Sequence, residues 1–466
     1  MHPIRRYTGF ADLIDDLSDE AGNRVAFERM GAGGTEAVTG AAFAHDVRRR
    51  AHELEAGRAS CEALVMDGSY ASVVESFACA LAGLQSVLLP ADVPRARMAV
   101  LAALGDADAV WPAEHCEGEV ARALRPENAR MARPGYGRML FFTSGTTAQP
   151  KPVMLSDAHL MASAWNGSSL LALEEGDRVL NLLPLSHVFG YVCGVLWGLS
   201  CGARVVLGRG KRHLLDDART FRPTVIPLVP SLLQTLLTHD LLNPELRMVL
   251  TGAAACPPAL ATAVRARGIE LHCGYGLTET SSGVALSLDE DVTALTVCPD
   301  CRVTVAQGGA LCIAAPHLLM DGYYRRPDDT AQVLADGVLR TGDTGSIDAS
   351  GCLRVSGRSD DIAVLRSGVK VSLRACEEQV RAVLGEDDVA VIGGEGGLIL
   401  VCGRLKHPAD RHVLAQALSG LGFAEARDAR IVDIAILDHS LPRTASGEVA
   451  RWQIDKEVSR WQASRR

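Results

Sequence analysis

Short apolar runs alternate with helical segments from the N-terminus to about residue 280, which constrains this chain to α/β layers built on a parallel sheet. Ala63-Leu-Val-Met66, a helical stretch over residues 72–84, and Val87-Leu-Leu-Pro90 form one strand–helix–strand unit. Further strands are expected at 179–183, 203–207, 224–229, 246–251 and 270–273. Ahead of them, Phe10, Leu13, Ile14 and Leu17 fall at helical spacing behind Thr8 and predict a short amphipathic helix. With 466 residues, 48% hydrophobic and 22% charged, the chain is of ordinary globular composition and can bury a large core.

The net charge of −9, with lysines and arginines scattered, argues against a nucleic-acid footprint. A phosphate-bearing substrate would have to be met locally, by loops and metal. Thirteen cysteines behind an N-terminus that leads into no apolar run point to reduced thiols and a cytoplasmic location. Cys298-Pro-Asp-Cys301 is a lone C-x-x-C without a second ligand pair, and buried thiols account for it better than zinc or redox chemistry. Residues 181–203 carry no formal charge, and Gly190, Gly194, Gly198 and Gly202 imitate a transmembrane dimer face. Pro184, Ser186 and His187 near the start, and Arg204 directly after, favour instead a strand, a turn and a buried helix whose glycines pack closely on a neighbour. No membrane span is expected.

The chemistry concentrates in loops that follow predicted strands, where open parallel sheets collect ligands. A strand over 139–142 empties into Thr143, Ser144, Gly145, Thr146 and Thr147, followed by Lys151. Hydroxyl donors, a glycine that admits close backbone approach and a cation suit a phosphate cradle; the residues alone equally allow an ordinary turn, and the Walker A pattern is absent. Pro184-Leu-Ser-His187-Val-Phe-Gly-Tyr191 sets a histidine and aromatics where they could flank a small acid, or simply satisfy a polar group. Thr251-Gly252-Ala253-Ala254-Ala255 offers flat backbone to a ring, or close packing. In Gly274-Tyr275-Gly276-Leu-Thr278-Glu279-Thr280, Tyr275 has a stacking face and Glu279 a hard oxygen suited to Mg²⁺.

Taken in order, these blocks resemble the adenylate-forming superfamily of acyl-CoA synthetases, luciferases and peptide-synthetase adenylation domains. The first loop is similar to Thr-Ser-Gly-Thr-Thr-Gly-x-Pro-Lys-Gly, with Ala148 and Pro152 in place of two glycines, and Gly274 to Glu279 matches Gly-Tyr-Gly-x-Thr-Glu. Gly322-Tyr-Tyr-Arg-Arg-Pro327, Arg340-Thr-Gly-Asp343 and Gly357-Arg-Ser-Asp-Asp361 continue the series. The resemblance implies that Thr143, Ser144, Gly145, Thr146, Thr147 and Lys151 meet phosphates. By the same match Gly252, Ala253, Ala254, Gly274 and Gly276 border the nucleotide, Tyr275 stacks on adenine, and Thr278 contacts the α-phosphate. Glu279 would hold Mg²⁺, His187 would lie beside the substrate carboxylate, Asp343 would take the ribose hydroxyls, and Arg358 would contact ribose or phosphate. It further implies a large N-terminal domain (1–357) and a small mobile α+β C-terminal domain (358–466) hinged at Asp360. In the latter, helices are expected at 373–384 and 411–421, and strands at 389–392, 398–401 and 431–437.

The implied activity is ATP- and Mg²⁺-dependent conversion of a small carboxylic acid to an acyl-adenylate with release of pyrophosphate. Acyl transfer follows, to the thiol of CoA or of phosphopantetheine on an acyl carrier protein; the wording of the motifs is nearest to acyl-CoA synthetases. The last block departs. Leu441-Pro-Arg-Thr-Ala-Ser-Gly-Glu448 is similar to Leu-Pro-x-Thr-x-x-Gly-Lys, but Glu448 stands where the family places a catalytic lysine. Two alternatives follow from it: a paralogue that binds ATP or acyl-adenylate with little turnover, and a thiolation-competent component fed with preformed adenylate.

Overall fold

The computed structural model describes residues 5–19, 22–126, 138–143, 150–358, 361–367, 369–394, 396–423, 428–443, 449–451, 453–454 and 458. Its largest sheet runs Thr296–Val297, Ser282–Leu286, Glu270–Leu277, Met248–Thr251, Val225–Leu228, Arg178–Asn181, Arg204–Leu207, Val25–Gly31, Gly34–Thr39. From Glu270–Leu277 to Val25–Gly31 every pairing is parallel. A second sheet orders Gly322–Tyr323, Pro152–Leu155, Met139–Phe142, Gln85–Pro90, Cys61–Met66, Ala109–Trp111, with the last four parallel. The parallel-sheet α/β architecture read from the sequence is present.

Helix positions follow from their caps. In Phe10–Asp19 the four expected apolar residues are buried, Phe10 stacks on Phe77 with ring centroids 4.1 Å apart, and Asp157 accepts from the Phe10 N–H at 2.8 Å. The helix expected at 72–84 is Tyr70–Leu81, set two residues earlier because the Ser69 hydroxyl accepts from the Ser72 N–H at 3.2 Å. The charge-free segment is a strand end, a turn and a helical stretch over 188–200 that opens to a π-turn at Val192–Leu196. Its glycines do pack closely: a Cβ on Gly194 would lie 2.3 Å from Asn181 Oδ1. Among the described residues no helix is long and apolar enough to cross a membrane.

One expected boundary is wrong in an informative way. The strand expected to stop at 273 runs on to Leu277 and pairs antiparallel with Ser282–Leu286, so only Thr278–Thr280 forms the turn. Gly276 permits this, since a Cβ there would sit 1.6 Å from the Ser282 carbonyl oxygen.

The buried apolar clusters divide along the chain. Four draw only on residues up to 355, and two only on residues from 363 onward. The second group is built from helix Leu373–Leu384 on the sheet Val389–Gly394, Gly397–Cys402, Ile431–Ile436, close to expectation. The helix expected at 411–421 ends at Ala417, ahead of Gly420 and Gly422.

Beneath helix Tyr70–Leu81 lies a buried charged group. Arg50 donates twice to Glu75 at 2.7 Å, Cys79 donates to Glu62 at 3.4 Å, and burial followed by the neighbouring Glu75 pushes the Glu62 carboxyl up to about 8. The folded state therefore holds a proton that the unfolded chain, with an ordinary value of 4.5, releases. The stability this confers is present below pH 4.5 and is lost as pH rises to about 8, at up to about 1.4 kcal/mol per pH unit. Glu62→Gln is expected to flatten the fall in melting temperature across that window; an unchanged slope would place the titrating group elsewhere.

Candidate active site

The hydroxyl-rich segment lies between two antiparallel strands, not between a strand and a helix. Met139–Phe142 pairs with Pro152–Leu155, and the Thr143 N–H donates to the Lys151 carbonyl at 3.2 Å, closing the base of the loop. Ser144, Gly145, Thr146 and Thr147 lie outside the described residues. The Lys151 Nζ is 3.2 Å from Asp329 and 4.9 Å from the centroid of the Tyr323 ring. The ammonium holds the Asp329 carboxyl below its ordinary value.

Tyr323 is the link. Its hydroxyl donates to Glu279 at 2.6 Å, so one ring joins the cation of the hairpin to the carboxylate of the Thr278–Thr280 turn. Burial first, and the Glu279 charge second, raise the Tyr323 phenol well above its usual value and keep it a donor. Sequence alone assigns Tyr323 no role, because its partner is 44 positions away.

A second cluster forms on strand Glu270–Leu277, which leads into that turn. The Tyr275 hydroxyl donates to Asp343 at 2.7 Å, and Arg358 lies 3.5 Å from the other oxygen of that buried carboxylate. The pairing of Asp343 with Arg358 is fixed by register, since they face each other across adjacent strands. Asp343 is held in place by the Thr341 hydroxyl, which accepts from the Asp343 N–H at 2.9 Å.

The histidine and glycine loops adjoin. His187 caps helix Val188–Tyr191, and burial lowers its imidazole pKa against the pull of Asp92, so near neutral pH it is an uncharged ring. Phe189 in the next turn packs on Gly252, where a Cβ would be 3.0 Å from the ring. The space at Gly252 is therefore filled by this chain's own phenylalanine. Ala253 beyond it is exposed and adopts φ 63°, a left-handed conformation uncommon for alanine. Gly274 and Gly276 carry Tyr275 between them on the extended strand, with Thr278 half-buried at its end.

Two cations near the departing block are committed elsewhere. Arg443 donates to Asp388 at 3.1 Å; Arg451 donates to Asp361 and Glu377, each at 2.6 Å, and to the Val391 carbonyl at 2.8 Å. Asp360 and Glu448 lie outside the described residues. Among the described residues Glu279 is partnered by a hydroxyl and not by a cation, so its charge is available to a hard metal ion. The donor chemistry thus fits magnesium.

The family model described as AMP-binding enzyme matches residues 15–324. The chain is 30% identical over 396 residues to a 3-[(3aS,4S,7aS)-7a-methyl-1,5-dioxo-octahydro-1H-inden-4-yl]propanoyl:CoA ligase of Mycobacterium tuberculosis, covering 80% of this chain and 76% of that protein. An indoleacetate–CoA ligase of Aromatoleum aromaticum is 31% identical over 359 residues, covering 69% of this chain and 67% of the relative. In fold the chain is similar to ATP-bound MatB from Rhodopseudomonas palustris, with a TM-score of 0.80 at 22% identity over 96% of this chain and 98% of that one.

Proposed function

The chain belongs to the AMP-binding enzyme family, and from that premise we propose that it joins a carboxylic acid to the thiol of CoA through an acyl-adenylate. The observation that carries this reading is the pair of clusters Lys151–Tyr323–Glu279 and Tyr275–Asp343–Arg358, whose Tyr275 and Glu279 lie four residues apart. Two cations, a hydroxyl-bound carboxylate and an aromatic face are what a nucleotide with a magnesium ion requires. The relatives support the acid and thiol halves of the reaction: each of the two is named as a CoA ligase, for different acids.

In this reading Lys151 and Arg358 meet phosphate charge, Glu279 holds the magnesium ion, Asp343 receives the ribose hydroxyls, and Tyr275 packs on the base. Bound magnesium supplies neutralisation of phosphate charge during transfer. His187, uncharged, can donate or accept beside the substrate carboxylate without adding a competing charge. Thr143 to Thr147 contribute hydroxyl and backbone donors. The clusters that divide between 355 and 363 support a domain boundary at 357/358, with Asp360 as the hinge that alternates the two half-reactions.

A second reading is favoured by one observation: Arg443 and Arg451 are engaged in ion pairs, so neither replaces the cation absent at Glu448. In it the protein takes supplied acyl-adenylate to thioester, from CoA or a carrier-protein arm. Pyrophosphate release with a panel of carboxylic acids, with and without CoA, separates the two. Acid-dependent release supports full ligase activity; thioester formed only from supplied acyl-AMP supports the second; neither product with any acid overturns both.

A further inference from the structure

The Thr278–Thr280 turn is tied to one downstream segment at three points. The Met320 N–H donates to the Glu279 carbonyl at 2.9 Å, the Ser281 hydroxyl donates to the Leu318 carbonyl at 2.8 Å, and the Tyr323 hydroxyl donates to the Glu279 side chain at 2.6 Å. The first two hold the turn; the third holds the carboxylate. It engages Oε1, and among the described residues Oε2 has no partner. Tyr323 is itself fixed. It is 6% exposed on the short strand Gly322–Tyr323, opposite Val153 of the strand that closes the hydroxyl-rich hairpin, and its N–H donates to the Thr330 hydroxyl at 2.9 Å. Helix Pro327–Val333 supplies both Thr330 and Asp329, the counter-ion of the Lys151 ammonium that lies over the Tyr323 ring.

We propose that Tyr323 is a positioning residue for the metal and phosphate centre: its hydroxyl fixes the Glu279 carboxylate with Oε2 left to the ion, and its ring seats the Lys151 ammonium. The inference rests on the reading given above, in which Glu279 holds magnesium. A hard ion binds a carboxylate already ordered more tightly than one that must be ordered on binding, and hydrogen bonds to liganding groups are worth about tenfold to a hundredfold in metal affinity. A phenol suits the task because it donates without bringing charge. An ammonium or guanidinium in its place would offset the Glu279 charge before any metal arrived. The electron-rich face of the same ring attracts the Lys151 ammonium, so one side chain sets both the metal ligand and the cation.

The two contacts use different parts of the side chain and can be removed separately. Tyr323→Phe deletes the hydroxyl and keeps the ring under Lys151; Tyr323→Leu deletes both. A residue that only supported the fold would, when altered, weaken nucleotide binding alike with and without metal. A positioning residue acts through Glu279, so the loss in Tyr323→Phe is confined to the part of the affinity that magnesium confers.

The test is calorimetric titration of the full-length protein with ATP, in EDTA and across a magnesium series, for the wild type, Tyr323→Phe, Tyr323→Leu and Glu279→Gln. The magnesium concentration giving half the gain in ATP affinity should rise at least about fivefold in Tyr323→Phe, with metal-free affinity within about twofold of the wild type. Tyr323→Leu should in addition lose about threefold of the metal-free affinity. In a Glu279→Gln background, Tyr323→Phe should add nothing to the magnesium response, since the hydroxyl acts through that carboxylate. An unchanged magnesium requirement, an equal loss with and without metal, an additive effect on Glu279→Gln, or a Tyr323→Phe protein that fails to fold overturns the inference; Tyr323→Leu with metal-free affinity intact overturns the seat for Lys151. A wild type that binds ATP without regard to magnesium overturns the magnesium reading and the inference with it. A response lost in Glu279→Gln but kept in Tyr323→Phe overturns the inference alone.

Discussion

Arg451→Ala is expected to destabilise the C-terminal unit by about 3 kcal/mol while leaving the N-terminal sheets intact. The guanidinium is largely buried and satisfies Asp361, Glu377 and the Val391 carbonyl at once. Removing it strands Glu377, which is only 3% exposed. The loss sits at the low end for a broken buried pair because Glu377 keeps the Val391 N–H at 2.9 Å and Arg381 at 3.3 Å. Arg451→Lys should recover only part of it, since one ammonium cannot reproduce the fork that reaches both carboxylates. Hydrogen exchange in urea reads the outcome by segment: protection in Val389–Gly394 and Gly397–Cys402 should fail well before Met248–Thr251. Simultaneous loss would mean that the two sets of clusters unfold as one.

Glu448→Lys carries the second large effect. A carboxylate at the family's lysine position removes an attraction for phosphate and substrate carboxylate, worth about 4 kcal/mol at roughly 4 Å and an effective dielectric near 20. Arg443 and Arg451, the described cations nearest to it in sequence, are committed to Asp388, Asp361 and Glu377. Discounted for screening by solvent and salt, restoring the cation should speed single-turnover acyl-AMP formation at least tenfold, with the thioester step little changed. Equal rates in the two proteins would make Glu448 a bystander.

The parallel sheets, the opening helix and the C-terminal α+β elements were legible because their signal is local: Phe10, Leu13, Ile14 and Leu17 repeat within two turns. The site was legible in part. Tyr275, Glu279 and Asp343 stood out as motif members, and the structure brings each into a polar cluster. Tyr323 and Asp329 did not stand out, because their roles arise from contacts with residues 44 and 178 positions distant. The continuation of Glu270–Leu277 was missed for a related reason: Gly276 reads as a loop residue until the Ser282 carbonyl that occupies the space of its missing side chain is known.

The ion pair between Lys151 and Asp329 has a consequence for how the site would discriminate. A phosphate reaching Lys151 meets an ammonium already neutralised by a tethered anion, so binding there is an exchange of one counter-charge for another. Ordinary monovalent anions, offering no more charge than the resident carboxylate and lacking its tether, gain little by competing. A polyphosphate, which can engage Arg358 and magnesium at the same time, can outbid it. Asp329 would then act as a gatekeeper by valence: its removal should leave Lys151 more receptive to chloride or inorganic phosphate, and the preference for a nucleotide correspondingly blunter.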